Sequence, residues 1–334
     1  MKKWLVCLLV GVLFCFAGCS GRKPVIAVID SQGDLLDGAF KEQVLHGLDP
    51  FEERAEIFRA SDSSMSFSKA LRKAINTRNP DLVWGVDSNS AKVFQTEAAS
   101  SPGVNFIVMD VLLEEPASNL TGVSFRSWEA SFLAGYLAAK TSRTGCVGFI
   151  GGEEITAVKQ FEYGYCAGAL YAGKLDKKEI TLEVAYTSTF LSPENGRMTA
   201  EELYGKGCDV LFQVCGQSGT GVIQEAINQN HWVIGVNTDQ TALAPDNMLT
   251  SVIKETDIAV QDITERFLAK EEIGGQNFVY GLENGGVSLA PNNGNIPAEL
   301  EKELDELRQR IINQELTPPS SQATYDSFVR VLNS

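Results

Sequence analysis

Polar side chains that could bind a ligand stand at the ends of several short apolar runs: Asp30, Asp87, Asp110, Asn237 and Lys254. A carboxylate accepts hydrogen bonds, a lysine donates them, and an asparagine amide does both. In open α/β sheets, ligands bind outside the carboxyl ends of the strands, so we expect these side chains to face one crevice. Any one of them is also typical of a helix cap or a turn. As a set they indicate a binding site for a polar small molecule.

Covalent and metal chemistry have few candidates in this chain. His46 and His231 are the only histidines, which excludes most catalytic triads and most metal sites. The segment CGQSGTG (215–221) could suggest a nucleotide-cofactor site, with Asn237 downstream, but its spacing is G-x-x-G-x-G rather than G-x-G-x-x-G. We therefore expect a protein that is not an enzyme and carries no cofactor.

Four cysteines lie beyond the N-terminal region: Cys146, Cys166, Cys208 and Cys215. Their spacing matches no zinc site, and in an oxidising compartment four cysteines could form two disulfides. Cys146 and Cys215, however, stand in apolar runs, where a free cysteine packs as a small hydrophobic residue. We favour buried thiols.

The N-terminus has the features of a secretory signal. Lys2 and Lys3 precede an apolar stretch that closes on Phe16-Ala17-Gly18-Cys19. Small residues before a cysteine resemble the lipobox of bacterial lipoproteins, although position 16 is not the usual leucine. We expect residues 1–18 to be removed, Cys19 to carry the lipid, and residues 19–23 to form a lipidated tether. The alternative, an uncleaved hydrophobic helix, is disfavoured because the stretch is short.

Composition bounds the remaining possibilities. The chain has 334 residues, 44% of them apolar, which suggests two lobes that each have a core. Its net charge is −15, and without Lys2 and Lys3 it becomes −17, because 26 basic side chains then face 43 acidic ones. So acidic a chain would repel nucleic acid, which we exclude as a partner.

From residue 24 onward, short β-branched runs alternate with amphipathic segments. Strand-like runs are PVIAVID, DLVWGVD, VNFIVMD, LTGVSF, CVGFIGG, TLEVAYT, DVLFQVCG, HWVIGVN, MLTSVIK and NFVYGL. Helical patterns include GAFKEQVLHGLDPF and residues 66–78, 128–141, 156–172, 196–205, 219–229, 255–269 and 297–313. Such alternation predicts an α/β protein with parallel sheets that are covered by helices on both faces.

One long ungapped segment identifies a family. FRSWEASFLAGYLAAKTSRTGCVGFIGG (125–152) resembles the basic-membrane-protein, or purine nucleoside receptor-like, family of substrate-binding lipoproteins. Shorter segments continue the resemblance: FEYGYCAG (161–168), TSTFLSPENG (187–196), VLFQVCGQSGTGVIQEA (210–226), WVIGVNTDQ (232–240) and LTSVIKETD (249–257). It extends over nearly all of residues 24–315.

The resemblance implies a type I periplasmic-binding-protein fold, with two doubly wound parallel-sheet lobes joined by a three-segment hinge. The hinge would cross near residues 124–126, 252–254 and 286–290. The N-terminal lobe would then be 24–124 plus 254–286, and the C-terminal lobe 125–253 plus 287–334. Family members bind nucleosides, and a divergent branch binds riboflavin, for delivery to an ABC importer. A flavin or a nucleoside, an ABC permease and the membrane, through the lipid, are thus the implied partners.

The resemblance also places candidate ligand-binding residues on the two facing walls: Asp30, Phe40, Ser88, Asp110, Phe190, Phe212, Asn237 and Lys254. The three phenylalanines would stack on a flat heteroaromatic ring. Phe212 is equally typical of a core residue, because its strand is apolar throughout. Phe190 lies in a polar segment that contains a proline, which indicates a loop. Asp110 and Lys254 suit the hydroxyl groups of a polyhydroxyl tail.

Two departures from the nucleoside-binding pattern concern the ligand. Asn237 replaces the aspartate that clamps ribose, and Lys41 replaces an asparagine. An amide suits a mixture of hydroxyl groups and ring carbonyls, such as riboflavin presents. We therefore favour riboflavin, with a purine nucleoside as the alternative if Asp239 binds the sugar instead. A surface adhesin or antigen that has no transport ligand is the alternative from another functional class.

Overall fold

A computed structural model of the chain describes residues 22–29, 38–60, 66–86 and 90–334, with backbone only for residues 38–41. Cys19, Asp30, Asp87 and Ser88 lie outside the described residues, as do the side chains of Phe40 and Lys41. Within the described part, the chain forms two six-stranded sheets.

The first sheet, the N-sheet, is parallel throughout. Its strands are β1 (Val25–Ile29), β2 (Glu56–Ala60), β3 (Leu82–Gly85), β4 (Asn105–Val108), β5 (Leu120–Phe125) and β11 (Gln276–Tyr280), and their spatial order is β11-β5-β4-β3-β1-β2. The central strands are buried on both faces, as expected of a parallel sheet between helices. This burial explains their continuous apolar sequences.

The second sheet, the C-sheet, is parallel except at one edge. Its strands are β6 (Cys146–Gly151), β7 (Thr181–Tyr186), β8 (Val210–Val214), β9 (Trp232–Asn237), β10 (Met248–Lys254) and β12 (Val287–Leu289), in the order β12-β10-β9-β8-β6-β7. The short β12 pairs antiparallel with β10. The chain passes between the two sheets three times: after β5, after β10 and between β11 and β12.

Ten α-helices lie among the described residues. They are α1 (Gly38–Leu48), α2 (Phe67–Arg78), α3 (Ala91–Ser100), α4 (Ser127–Thr141), α5 (Thr156–Asp176), α6 (Pro193–Gly205), α7 (Gly219–Gln229), α8 (Thr256–Leu268), α9 (Ala298–Ile312) and α10 (Gln322–Leu332). Helix α8 packs on α1 beside the N-sheet, whereas α9 and α10 pack on α4 and α5 beside the C-sheet. In the described part, no helix combines the length and the apolar character that crossing a membrane requires.

Helices α4 and α5 pack backbone to backbone because their shared face carries glycines. A Cβ atom built on Gly135 would lie 1.9 Å from the carbonyl oxygen of Tyr165. A Cβ atom on Gly168 would lie 1.9 Å from the carbonyl oxygen of Phe132. Both distances are impossible for a real side chain, so Gly135 and Gly168 serve the packing of these two helices.

The predicted alternation of strands and helices is confirmed, but four elements were not assigned from the sequence. Strand β2 is half-exposed and β12 has only three residues, so neither shows a clear apolar run. Helix α3 has a short and weakly patterned sequence, and α10 begins beyond residue 315, where the recognised segments end. All four cysteines are buried, as predicted.

Candidate functional site

One ion pair joins the rims of the two sheets. Asp110 lies two residues after β4 of the N-sheet, and Lys254 is the last residue of β10 in the C-sheet. The Nζ atom of Lys254 lies 2.8 Å from both carboxylate oxygens of Asp110. The lysine side chain is 6% exposed and the aspartate side chain 21%. This contact is consistent with the prediction from the sequence that the two strand ends face one crevice.

Two aromatic rings flank the ammonium group of Lys254. Its Nζ lies 5.2 Å from the centre of the Phe161 ring and 5.9 Å from the centre of the Phe125 ring. Cations are attracted to the faces of aromatic rings at these distances. Sequence reasoning did not assign either phenylalanine to the site. Both lie inside the segments that carry the family resemblance, and this resemblance is the sequence feature that could have pointed to them.

Asn237 lies beside this pair, at the end of β9. It is in register with Ile253 on β10, next to Lys254 in the chain. Its φ angle is +66°, and that of Asp110 is +62°, a region that non-glycine residues rarely adopt. Strained backbone of this kind is concentrated at ligand sites. The amide of Asn237 is half-buried and forms no hydrogen bond with another described residue, so it is available to a ligand.

A pair of glutamines, Gln213 buried and Gln240 half-buried, fixes the turn that follows Asn237. Gln213 donates from Nε2 to Oε1 of Gln240 at 2.8 Å, and the same oxygen accepts from the backbone N–H of Val236 at 3.2 Å. The backbone N–H of Gln240 donates to Oγ of Ser251 at 3.1 Å. The sequence signal for this pair is a single glutamine inside the apolar run DVLFQVCG.

Asp239 has a structural role in the same turn. Its side chain is exposed, and its Oδ1 accepts a hydrogen bond from the backbone N–H of Thr241 at 2.9 Å. This is the short-range bond by which aspartate stabilises turns. The geometry therefore favours Asn237 over Asp239 as the polar group at this rim.

Phe190 lies in the loop between β7 and α6, where it covers the end of β6. A Cβ atom on Gly152 would lie 2.4 Å from the Phe190 ring, so the ring rests directly on this glycine. The backbone N–H of Ser218 donates to the carbonyl oxygen of Phe190 at 3.1 Å, and Oγ of Ser218 donates to the carbonyl oxygen of Thr189 at 3.0 Å. The start of α7 thus fixes the loop that carries the half-buried phenylalanine.

The glycine-rich segment 215–221 serves this packing. A Cβ atom on Gly221 would lie 1.8 Å from the carbonyl oxygen of Pro193, and one on Gly196 would lie 1.9 Å from that of Ser218. Helix α7 therefore contacts α6 through glycines on both helices.

Phe212, another predicted site residue, does not join this group. Phe212 is fully buried in the core, with ring centres 5.3 Å from Tyr165, 5.6 Å from Phe149 and 6.2 Å from Phe161. It lies one layer behind Phe161 rather than at the rim. Phe40 belongs to α1, where only the backbone is described.

A cluster of charges lies at the first crossing between the sheets. Arg126 donates to Glu283 at 2.9 Å, and its backbone N–H donates to the carbonyl oxygen of Tyr280 at 2.7 Å. Glu129 accepts from the backbone N–H of Leu282 at 2.8 Å, and burial raises the pKa of its carboxyl group. A cavity of about 340 Å³ opens beside these residues and the segment before α10.

A metal site finds no support among the described residues, where no three His, Cys, Asp or Glu side chains are grouped to hold an ion. The arrangement of ion pair, amide and aromatic ring suits the hydrogen bonding and stacking of an organic ligand instead.

Comparison with known proteins identifies the family. Residues 23–322 match the Bmp family, described as ABC transporter substrate-binding protein PnrA-like. Basic membrane protein A1 of Borrelia garinii subsp. bavariensis is 34% identical over 99% of this chain and 100% of its own length. Basic membrane protein A of Borreliella burgdorferi is also 34% identical, over 94% of this chain and 95% of its own.

Solved structures agree on the fold. An ABC transporter solute-binding protein from Aeropyrum pernix K1 superposes with a TM-score of 0.74 at 21% identity, covering 93% of this chain and 97% of that protein. The predicted type I periplasmic-binding-protein fold, with two α/β lobes, is confirmed. This chain belongs to the Bmp family of PnrA-like substrate-binding proteins of ABC transporters.

Proposed function

We propose that this protein is a lipid-anchored, extracytoplasmic binding protein that holds riboflavin between its two lobes and delivers it to an ABC-type permease. The observation that carries the choice of riboflavin is Asn237, which ends β9 in register with Ile253, and whose half-buried amide forms no hydrogen bond with another described residue. A purine nucleoside is the alternative ligand.

The amide chemistry favours a ligand that offers both donors and acceptors. An asparagine side chain accepts through its oxygen and donates two hydrogens through its nitrogen. The ribityl chain of riboflavin supplies hydroxyl groups, and its ring supplies carbonyl oxygens and ring nitrogens. A ribose cis-diol, in contrast, is best bound by a carboxylate that accepts from both hydroxyl groups.

The other rim groups fit the same ligand. Asp110 uses its two oxygens to accept from Lys254 and retains lone pairs for ligand hydroxyl groups. Phe190 is half-buried on a fixed loop, which suits stacking on a planar ring. From the family resemblance, Asp30, Phe40 and Ser88 would complete the wall on the N-terminal lobe, and Phe212 would support the aromatic layer.

Binding would close the lobes, which we assign to residues 24–124 plus 254–286 and to residues 125–253 plus 287–334. A ligand that contacts both rims stabilises the closed state by its higher affinity for that state. The Asp110–Lys254 pair already joins the rims, so the ligand would add to an existing contact between the sheets.

An optical spectrum of the full chain, purified without refolding, tests the choice of ligand directly. A tightly held flavin gives a yellow protein with the absorbance bands of the isoalloxazine ring. Calorimetric titration of ligand-free protein with riboflavin, guanosine, inosine and adenosine then ranks the ligands. Heat with the nucleosides and none with riboflavin contradicts the proposal, and no heat with any of them favours the adhesin or antigen alternative.

The anchor is tested separately. Cys19→Ala should move the protein from the detergent phase to the aqueous phase in detergent partitioning, because one acylated residue supplies the membrane affinity. Cys166→Ala is a matched control, since that cysteine is buried in α5 and should leave partitioning unchanged. Aqueous partitioning of the unsubstituted chain would contradict the lipid anchor.

A further inference from the structure

Two buried cysteines of the C-sheet are in close contact at the end that lies away from the candidate site. The Sγ atoms of Cys146 and Cys208 are 2.8 Å apart. Cys146 begins β6, and Cys208 precedes the neighbouring strand β8 by two residues. They are 7% and 1% exposed, and both are free thiols in the structure.

This sulfur–sulfur distance fits poorly with two separate thiols. Non-bonded carbon atoms make their best contact at about 3.5–4.0 Å, and sulfur is larger than carbon. A covalent sulfur–sulfur bond is about 2.05 Å long. A metal is also excluded from the gap, because two thiolates that each bind a zinc ion at about 2.3 Å lie roughly 3.8 Å apart. Bond formation would relieve the contact.

The surrounding backbone holds the two cysteines together. Asp209, buried beside Cys208, accepts hydrogen bonds from Oγ of Ser142 at 2.6 Å and from the backbone N–H of Arg143 at 2.8 Å. These bonds tie the turn before Cys146 to the residue after Cys208. The adjacent strand residues, Val147 and Val210, are in register. Bridging the sulfurs therefore requires side-chain adjustment within a fixed frame.

We propose that Cys146 and Cys208 form a disulfide that joins β6 to β8 when the chain folds in an oxidising medium. The oxidant is an external disulfide, such as oxidised glutathione or the disulfide of an oxidoreductase. The two thiols lose two electrons and two protons as one sulfur–sulfur bond forms. The external disulfide accepts them and becomes two thiols.

The position of the pair determines when the bond forms and what it affects. Burial raises the pKa of both thiols, and the thiolate is the species that attacks a disulfide. Exchange therefore occurs before the sheet is fully packed, and the completed bond is shielded from reductants. Because the pair lies at the opposite end of the C-sheet from Asn237, it should stabilise the lobe and leave ligand affinity unchanged.

The experiment is to refold the full chain in a mixture of reduced and oxidised glutathione, denature it and block free thiols with N-ethylmaleimide. Chymotrypsin then cleaves at Leu211 and Phe212, which separates Cys208 from Cys215. Mass spectrometry should find the Cys146 and Cys208 peptides cross-linked before reduction and separate after it. The peptides of Cys166 and Cys215 should carry the maleimide.

Variants and thermal unfolding complete the test. Cys208→Ala should abolish the cross-link and leave Cys146 alkylated, whereas Cys215→Ala, at an equally buried cysteine, should retain it. Refolding in dithiothreitol instead of the glutathione mixture, so that the bond never forms, should lower the unfolding midpoint of the unsubstituted chain by roughly 5–15 °C and leave that of the Cys146→Ala/Cys208→Ala double variant unchanged. Maleimide on both Cys146 and Cys208 of the refolded unsubstituted chain, or a cross-link from either to another cysteine, would overturn the proposal.

Discussion

The Nζ atom of Lys254, at the end of β10, lies 2.8 Å from both carboxylate oxygens of Asp110, in the loop after β4. The two residues are 144 positions apart in the chain, and they belong to different sheets. Their contact is thus a direct link between the two sheets, at the point where the chain leaves β10. Its strength and its role in binding can be measured.

Breaking this ion pair should destabilise the fold. Lys254→Met leaves a poorly solvated carboxylate at Asp110 and should lower the free energy of unfolding by about 2–3 kcal/mol. This is less than for a fully buried pair, because the Asp110 side chain is 21% exposed. Chemical denaturation of Lys254→Met, of Asp110→Asn and of the double variant gives the coupling free energy between the two side chains. We expect the double variant to cost at least about 0.5 kcal/mol less than the sum of the singles; additive losses would contradict the pairing.

Asn237 should contribute to ligand affinity through its amide. Asn237→Ala should weaken binding by about 1–3 kcal/mol, because a ligand polar group loses its partner in a buried site. Asn237→Gly removes the same amide while tolerating the positive φ angle, so it should lose as much affinity with a smaller loss of stability. Asp239→Ala, in the same turn but exposed, should bind normally in calorimetric titration. Loss of binding in Asp239→Ala alone would assign the sugar contact to that residue.

Phe190 and Phe212 should behave in opposite ways when truncated. Phe190→Ala removes a half-buried ring from the rim and should weaken ligand binding by about 1–3 kcal/mol. Phe212→Ala opens a cavity in the core and should lower the free energy of unfolding by about 3–5 kcal/mol. Denaturation and titration of both variants separate the two roles. If Phe190→Ala binds as tightly as the unsubstituted protein, the ring does not stack on the ligand.

Glu129 should make stability at the crossing between the sheets depend on pH. Burial raises the pKa of its carboxyl group in the folded protein, so folding favours the protonated form. The stability that this shift contributes is fully present below the pKa of the unfolded state and is lost as pH rises through the pKa of the folded state. Glu129→Gln keeps an acceptor for Leu282 but cannot titrate. The unfolding free energy of the unsubstituted protein, relative to this variant, should therefore fall as pH rises from about 4.5.

Glu194 provides a control of opposite sign for the pH series. Hydrogen bonding to Arg197 lowers the pKa of this fully exposed carboxyl group. Any stability that this shift contributes is therefore present above the pKa of the unfolded state and is lost as pH falls through the pKa of the folded state. Denaturation of Glu194→Gln across the same pH series should show a small difference in that direction. A flat difference for Glu129→Gln would mean that its carboxyl group is solvated at the crossing.

Two of the predicted site residues show what a local sequence pattern can assign. Asn237 and Lys254 were assigned to the rim because each ends an apolar run, and the end of a parallel strand has a fixed place in such a sheet. Phe190 and Phe212 could not be separated with the same certainty. An aromatic residue has the same local pattern in a core as beside a ligand, and only the packing of Phe149, Tyr165 and Phe161 around Phe212 distinguishes them.

The sequence by itself determined the alternation of strands and helices, the two-lobe fold and the family. Both the periodic placement of apolar residues and the long ungapped segments of family resemblance are features of neighbouring positions in the chain. Only the tertiary structure decided that Lys254 meets Asp110, that the glycines of 215–221 pack α7 on α6, and that Cys146 touches Cys208. The physical reason is that these contacts join distant segments. They depend on how crossovers bring strands and helices side by side, which no local pattern encodes.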